Sequence, residues 1–397
     1  MVLSLVLGWA TIYANRTCLY PLLPLIAATL DITSAQAGLL SSVYFTLYVL
    51  FQIPSGLLMD RLGTKKCLVA AYSASGLALF GIGLLGDSYG WLLLFFGIQG
   101  LGDSFYYTAA QTTIVTYAPP QRKSLYSALL GVGMSLGTVA GLGFSHMLYA
   151  YFEGYRIPFL LLAFPTLAIA GALACFVPNV VSSKKTSAAD YLPLFCDRDI
   201  WRISGAIFCL MYGFWVILNW GPTFLASERG FVAEQAGFYS GLVALAAVPG
   251  GIFWSRLSDR IGRKTVLAAV LPLSAFFLFS VASVESFHLM VLSLLAFGFC
   301  TNAAVVPVAV LWISHITASR YAGRTAVAIS FFNCLIVASA VVAPVLSGFI
   351  RDLSGSLAGA IFLGAGVVLT GPLLIAGIRE TREIPSVSND SSGGVAD

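Results

Sequence analysis

Gly56-Leu57-Leu58-Met59-Asp60-Arg61-Leu62-Gly63-Thr64-Lys65-Lys66 is a short charged break between two long apolar runs. It has a partner: Ser255-Arg256-Leu257-Ser258-Asp259-Arg260-Ile261-Gly262-Arg263-Lys264 stands in the same setting 199 positions later. The same offset relates Gln36-Ala37-Gly38 to Gln235-Ala236-Gly237, and Tyr13 to Tyr212. Three matches at one spacing, each at the same place in its half, mark a duplicated unit.

Outward from these breaks the apolar runs number twelve, at residues 3–28, 36–58, 67–86, 91–117, 125–149, 156–178, 200–225, 235–257, 266–284, 288–315, 325–350 and 356–378. Each is long enough to cross a hydrocarbon core of about 30 Å as a helix. Charged residues are 10% of the 397 and hydrophobic residues 58%, whereas a soluble domain averages roughly 25% charged. Mean hydropathy is +0.90, so water is not the main solvent for this surface. The first run has no Lys or Arg ahead of it and no small-residue cleavage site, so it reads as a span rather than a secretory signal.

Seventeen of the 21 Lys and Arg fall on the side of the two quoted loops, three (Arg156, Arg229, Arg351) fall on the other, and Arg16 lies inside a span. The positive-inside rule then places those loops and both termini in the cytoplasm. It also accounts for the net charge of +4 without any nucleic-acid partner. A connection at 179–199, containing Ser182-Ser183-Lys184-Lys185, separates residues 1–178 from 200–378, six runs on each side. The tail, 379–397, is polar and expected to be disordered. The expected fold is an all-α integral membrane protein with twelve transmembrane helices in two pseudo-symmetric six-helix bundles. Duplicated six-helix units build many secondary transporters, with the site between the repeats near the midplane. The seven cysteines are scattered without a C-x-x-C pair, and His146, His288 and His315 are dispersed, so neither disulfides nor a metal set is expected. There is no nucleophile–base set and no phosphate loop, which argues against an enzyme.

Two ionisable residues, Arg16 and Asp103, stand within apolar runs. Each costs at least ~2.5–3.5 kcal/mol at the bilayer centre on insertion scales, so such residues are rare and usually functional. Arg16 is 13 residues and Asp103 14 residues from the loop-side ends of their runs, or about 20 and 21 Å at 1.5 Å per residue. At that common level the two side chains could meet across the space between their helices. A guanidinium is always charged and grips carboxylate or phosphate in a bidentate fork, which suits Arg16 to an anion. Asp103 suits a proton: anion and Asp103 compete for Arg16, and protonating Asp103 frees it. A permanent pair that only fixes packing is the plainer reading, but buried pairs stabilise poorly relative to apolar packing.

The C-terminal half offers no second charge. The offset sets Trp215 opposite Arg16 and Thr301-Asn302 opposite Asp103. Tyr13, Tyr212, Trp215, Asn219, Trp220 and Asn302 are candidates for hydrogen bonds and aromatic walls. One charged wall and one aromatic wall suit a carboxylate on an apolar or ring-bearing body. Gly133, Gly137 and Gly141 share one helix face, which reads first as tight helix packing. His315 reads as an interfacial residue.

The two charged loops resemble the G-x-x-x-D-R-x-G-R-K signature of the major facilitator superfamily, with Thr64 in place of an Arg and Ser255 in place of the opening Gly. In that family such loops latch the cytoplasmic ends of the halves together in one conformation. The resemblance gives this role to Gly56, Asp60, Arg61, Gly63, Lys65, Asp259, Arg260, Gly262 and Arg263. Gly suits the reversal between helices, and Asp suits a neighbouring helix N-terminus. A narrower resemblance lies in Tyr13-Ala14-Asn15-Arg16, in Tyr48 with Gln52-Ile53-Pro54-Ser55-Gly56, and in Gly100-Leu101-Gly102-Asp103-Ser104. These look like the organic-anion transporters of the anion:cation symporter family and, less closely, the spinster family. Asn15 stands where those have Asp, Asp103 where they have Glu, and Phe96 where the superfamily commonly has Arg.

The resemblance implies a cavity lined by the first, fourth, seventh and tenth helices. It implies a proton-coupled carrier of a small organic anion, a carboxylate or phosphorylated metabolite, working by alternating access. It needs no cofactor beyond a proton gradient, and its partners are the anion, protons and membrane lipid. The expected setting is the cell membrane, as a monomer. An exporter of amphipathic compounds by proton antiport is the alternative, suggested by the aromatics and by Ala343-Pro344-Val345-Leu346-Ser347-Gly348. Arg16 speaks against it, since a cationic-drug site wants an unpaired carboxylate.

Overall fold

A segment immersed in lipid must satisfy each backbone N–H and C=O within itself, which leaves helices as the answer to runs of this composition. The computed structural model describes residues 1–119, 122–180, 192–321 and 325–378. The 181–191 part of the connection and the 379–397 tail therefore lie outside the described residues, as does the side chain of Asp60. The N-terminal half holds α1 (Val2–Leu30), α2 (Ser34–Leu62), α3 (Thr64–Leu85), α4 (Tyr89–Asp103), α5 (Tyr106–Tyr117), α6 (Lys123–Phe152) and α7 (Arg156–Phe176). A short helix, α8 (Leu192–Phe195), precedes α9 (Arg198–Glu228), α10 (Ala233–Ile261), α11 (Arg263–Ser283), α12 (Phe287–Phe299), α13 (Val306–Arg320), α14 (Thr325–Val337), α15 (Ser339–Ser354) and α16 (Ala358–Ala376).

Among the described residues nine helices are long and apolar enough to cross a membrane, α14 and α15 counting as one. The remaining three of the twelve spans are α1, interrupted by Asn15 and Arg16, and two spans broken in the middle: α4–α5 and α12–α13. Most helices run a few residues beyond the apolar stretches, and α9 begins inside the range given to the connection. Reversal between α2 and α3 takes one residue, Gly63 at φ 90°, and between α10 and α11 one residue, Gly262 at φ 96°. Only glycine adopts such a φ without strain. Gly56 is not part of the turn: it lies within α2, and a Cβ there would meet nothing within 4 Å.

The two broken spans break at matching places, after Asp103 and around Cys300 to Val305. Non-helical backbone at membrane depth survives only inside protein or along a water-filled cavity, and transporter sites are commonly built at such interruptions. Side chains collect carbonyls there: Trp254 Nε1 donates to Phe299 O at 2.8 Å, Ser274 Oγ to Cys300 O at 2.7 Å and Ser55 Oγ to Ser104 O at 3.4 Å.

The halves meet along two seams, α2 against α15 and α6 against α10. The approach is backbone to backbone. A Cβ on Gly38 would stand 2.4 Å from the Pro344 carbonyl oxygen, one on Gly348 2.3 Å from that of Ser34, and one on Gly237 1.9 Å from that of Leu142. Ser42 Oγ donates to Val341 O at 2.6 Å and Ser135 Oγ to Ala244 O at 3.2 Å. At the far end Asp352 accepts from the backbone N–H of Ser34 and of Ala35, each at 2.8 Å. Thr33 takes the next N–H of α2, that of Gln36. All these contacts lie at mid-depth or toward the end opposite the Asp-Arg-x-Gly loops. Nearer the loops, the one hydrogen bond that joins the halves among the described residues is the long contact of Cys334 Sγ with Val49 O at 4.0 Å.

Candidate functional site

Asp103 is the last residue of α4 and is fully buried. Glycine puts it there. A Cβ on Gly100 would lie 2.0 Å from the carbonyl oxygen of Tyr44, and one on Gly102 2.5 Å from that of Ala71. With hydrogens in their place, α4 lies directly on α2 and α3 and delivers the carboxylate to side chains of both. Its Oδ2 accepts from the Tyr44 hydroxyl at 2.7 Å and its Oδ1 from Ser75 Oγ at 2.8 Å.

Arg16, 5% exposed, reaches the same hydroxyl from the other side. Its Nε and Nη2 donate to Tyr44 Oη at 3.1 and 2.8 Å. Arg16 and Asp103 do meet at one level, but through Tyr44 and not as an ion pair. A phenol oxygen has two lone pairs and one hydrogen. Here both acceptor positions face Arg16 and the hydrogen faces Asp103. The guanidinium also lies 4.5 Å from the ring centre of Tyr13, 4.9 Å from Tyr44, 5.0 Å from Phe45 and 5.4 Å from Tyr48. Cation–π attraction of ~0.5–2 kcal/mol each offsets part of the burial cost. Nη1 donates to no protein acceptor among the described residues. The neighbouring Asn15 turns away, its Nδ2 donating to Thr166 Oγ1 of α7 at 2.9 Å.

From the C-terminal half, Trp215 packs edge-on against Phe45 at 4.6 Å, so it backs the wall of the Arg16 cage without touching the guanidinium. Tyr212 and Asn219 are buried beside it on α9. Tyr212 Oη, Trp215 Nε1 and Asn219 Oδ1 have no hydrogen-bond partner among the described residues. A buried polar atom left so costs about 1–3 kcal/mol, which a ligand or water would relieve. Asn302 is half-buried at the second helix break, at φ 42°. On the loop side of Arg16, Trp9 packs against Tyr13 at 5.1 Å and Tyr107 at 5.4 Å, and Tyr107 is 39% exposed. The aromatic surface is thus not confined to the C-terminal half.

The two charged loops are each fastened within their own half. Thr64, the departure from the family's Arg, exchanges hydrogen bonds with the Val180 backbone, and the Lys65 N–H donates to Asn179 Oδ1 at 3.1 Å. Arg263 Nη1 contacts His315 Nδ1 at 2.6 Å, and Lys264 Nζ donates to the carbonyls of Ala376 and Ile378. Arg61, Asp259 and Arg260 are exposed and bond to none of the described residues. Among the described residues, no hydrogen bond or ion pair from either loop reaches the other half. Gly133, Gly137 and Gly141 pack on α1, where Cβ atoms would stand 2.7, 2.0 and 2.4 Å from the carbonyl oxygens of Val6, Ala10 and Ala14.

Tyr44 is the residue that sequence reading passed over. Its signal was available: Tyr44 and Tyr48 are one turn apart in an otherwise apolar run, so both hydroxyls face one neighbour. Nothing in the sequence says that this neighbour is the α1–α4 junction.

The profile of the Major Facilitator Superfamily matches residues 5–338, with a second, overlapping match over 203–394. A probable sulfoacetate transporter of Cupriavidus necator is 25% identical over 378 residues, covering 87% of this chain and 85% of its own length. A hexuronate transporter of Bacillus subtilis is 24% identical, covering 97% and 94%. Among solved structures, a bacterial homologue of the human lysosomal transporter Spinster, in an inward-facing and unoccupied conformation, superposes with a TM-score of 0.74 at 17% identity, covering 94% of each chain.

Proposed function

This chain belongs to the major facilitator superfamily and is a membrane transporter, not an enzyme; from that premise we propose that it is a proton-coupled carrier of a small organic anion working by alternating access. The observation that carries the reading is the Arg16–Tyr44–Asp103 chain, with Arg16 Nη1 free of any described protein acceptor. A carboxylate or phosphate engages Arg16, and Asp103 takes and releases the proton. Tyr13, Tyr212, Trp215, Asn219 and Asn302 shape the rest of the site. Sulfoacetate and hexuronates, named for the two relatives, are organic acids and fit this chemistry. An exporter of cationic amphiphiles finds no such support, because both oxygens of Asp103 are already hydrogen-bonded.

With the Lys- and Arg-rich side in the cytoplasm, the sealed seams lie outside and the state described is inward-facing. The Asp-Arg-x-Gly loops then latch the opposite, outward-facing state, and the open space beside Gly56 is where the other half closes. The units that rock are residues 1–178 and 200–378, joined by the 179–199 connection, in the cell membrane and as a monomer.

Proteoliposomes holding the purified chain test this. Under an imposed pH gradient, and against a panel of carboxylates and phosphorylated sugars, at least one organic acid should accumulate toward the alkaline side and be lost when a protonophore collapses the gradient. Uptake indifferent to the gradient would remove the proton from the cycle, and no uptake of any acid would remove the anion.

A further inference from the structure

We infer that Tyr44 is the positioning residue that couples the proton to the anion, its one hydroxyl hydrogen turning from Asp103 to the anion when Asp103 is protonated. This rests on Arg16 taking an anion and Asp103 a proton, as proposed above.

The bonding pattern leaves little freedom. Arginine has only donors, so the two N–H groups reaching Tyr44 Oη at 3.1 and 2.8 Å fill both its lone pairs. The hydroxyl hydrogen must then go to the 2.7 Å contact with Asp103 Oδ2. That arrangement fits a charged carboxylate. Now let Oδ2 take up a proton. Two O–H groups would point at each other across that contact, and the acid, the stronger donor, keeps the position. Tyr44 Oη then has three donors for two lone pairs. One Arg16 N–H is released and the Tyr44 hydrogen swings outward. Together with Nη1 they are then donors without a described protein acceptor, so protonation adds two donors for the anion. Proton and anion thereby favour each other, which is the sign that cotransport needs.

No other acid or base intervenes among the described residues. The groups that face Asp103 are Arg16 on α1, Tyr44 and Tyr48 on α2, and Tyr72 with Ser75 on α3. Ser75 bonds Oδ1 alone and does not reach Arg16, so among the described residues Tyr44 is the hydrogen-bonded link from Asp103 to Arg16. In the C-terminal half the corresponding residue is Val243, which has no hydroxyl to turn.

The full chain in detergent, titrated calorimetrically with sulfoacetate and with glucuronate from acid to neutral pH, provides the test. Wild type should bind one of them more tightly toward acid. Tyr44→Phe keeps the ring and its contacts with Arg16, Phe45 and Tyr48, yet should lose that pH slope and bind about tenfold more weakly at acid pH, the scale of one lost hydrogen bond to a charged group. Asp103→Asn, whose amide donates permanently to Tyr44, should bind at neutral pH as wild type does at acid pH, and that gain should vanish in the Tyr44→Phe background. A Tyr44→Phe protein with the wild-type pH slope overturns the inference while leaving the carrier reading intact. So does an Asp103→Asn gain that survives without the hydroxyl. If the Tyr44→Phe protein does not fold, the Asp103→Asn variant alone decides the matter, since weaker neutral-pH binding also overturns the inference. Wild type binding both acids without any pH dependence overturns the carrier reading and this inference together.

Discussion

The two halves repeat one backbone plan and divide its chemistry unequally. In the N-terminal half, Gly100 seats the fourth span against the Tyr44 carbonyl, and in the C-terminal half Gly298 seats the tenth against that of Val243, where a Cβ would stand 2.4 Å away. Both spans then break. Yet Arg16, Tyr44 and Asp103 on one side correspond to Trp215, Val243 and the Thr301-Asn302 pair on the other. Burying a charge costs several kcal/mol even after relaxation, and one binding position needs that outlay once. The duplicated half keeps the glycine seat and the break, which make room, and replaces the ions with an indole and buried polar atoms. On the proposed function, asymmetry of charge on a symmetric frame would seat a single anion against one charged wall and one aromatic wall.

The sharpest way to break this comparison is Arg16→Lys. Charge is kept, but a point charge cannot hold a carboxylate with two parallel bonds or fill both lone pairs of Tyr44. Uptake should fall to a small fraction of wild type. Near-normal uptake would make Arg16 a packing residue and the asymmetry accidental. Asp103→Asn should have a narrower effect: counterflow of substrate survives, while uphill accumulation under a pH gradient is lost. An Asn variant that still concentrates substrate would mean the proton travels elsewhere, and His315, beside Arg263, would be the next group to mutate.

The seams invite the same comparison on a smaller scale. On the α2–α15 seam, Asp352 caps the first two N–H groups of a helix belonging to the other half; on the α6–α10 seam, no carboxylate bonds the start of α10 among the described residues. A charged cap is worth ~0.5–2 kcal/mol, so Asp352→Ala should raise the population opened at this end several-fold. A cysteine introduced at Ser41, buried beneath the seam, would report it as faster labelling by a membrane-impermeant maleimide. Unchanged labelling would mean that the glycine contacts and the Ser42–Val341 bond hold this end shut without Asp352.

How much of this was legible in the sequence follows from what each feature depends on. Span number and the two-bundle plan depend on hydropathy and on the repeat at Asp60 and Asp259, both of which are linear in the chain. Arg16 and Asp103 stood out because charge inside an apolar run is rare. Tyr44 did not, because a tyrosine in a span is ordinary until its hydroxyl is found between two ions. The end of the second helix was less legible: the apolar run stops at 58, whereas the helix continues to Leu62 and a single positive-φ residue reverses the chain. The bond from Asp352 to Ser34 joins residues 318 positions apart, and no local pattern announces it.

The smallest effect expected concerns how each half begins. α1 starts at Val2 without a side-chain cap, whereas α9 starts behind Asp197, whose Oδ1 accepts from the N–H groups of Asp199 and Ile200 at 2.8 and 3.2 Å. Its Oδ2 accepts from Arg320 Nη1 and the Tyr321 hydroxyl, both at 3.0 Å. Burial pushes this carboxyl up, but the bonds from Arg320, the two backbone N–H groups and Tyr321 together hold it below the usual carboxylate value. A group depressed in the folded state stabilises above its unfolded value and loses that contribution as pH falls through the folded one. Asp197→Ala should therefore lower the melting temperature in detergent at neutral pH, by the ~1 kcal/mol typical of a lost N-cap, since Arg320 retains Asp199 at 2.7 Å. The gap between variant and wild type should narrow as pH drops below the ordinary carboxylate range. A gap of constant size across that range would mean that Asp197 acts through its shape and not its charge, and that the second half begins no differently, electrostatically, from the first.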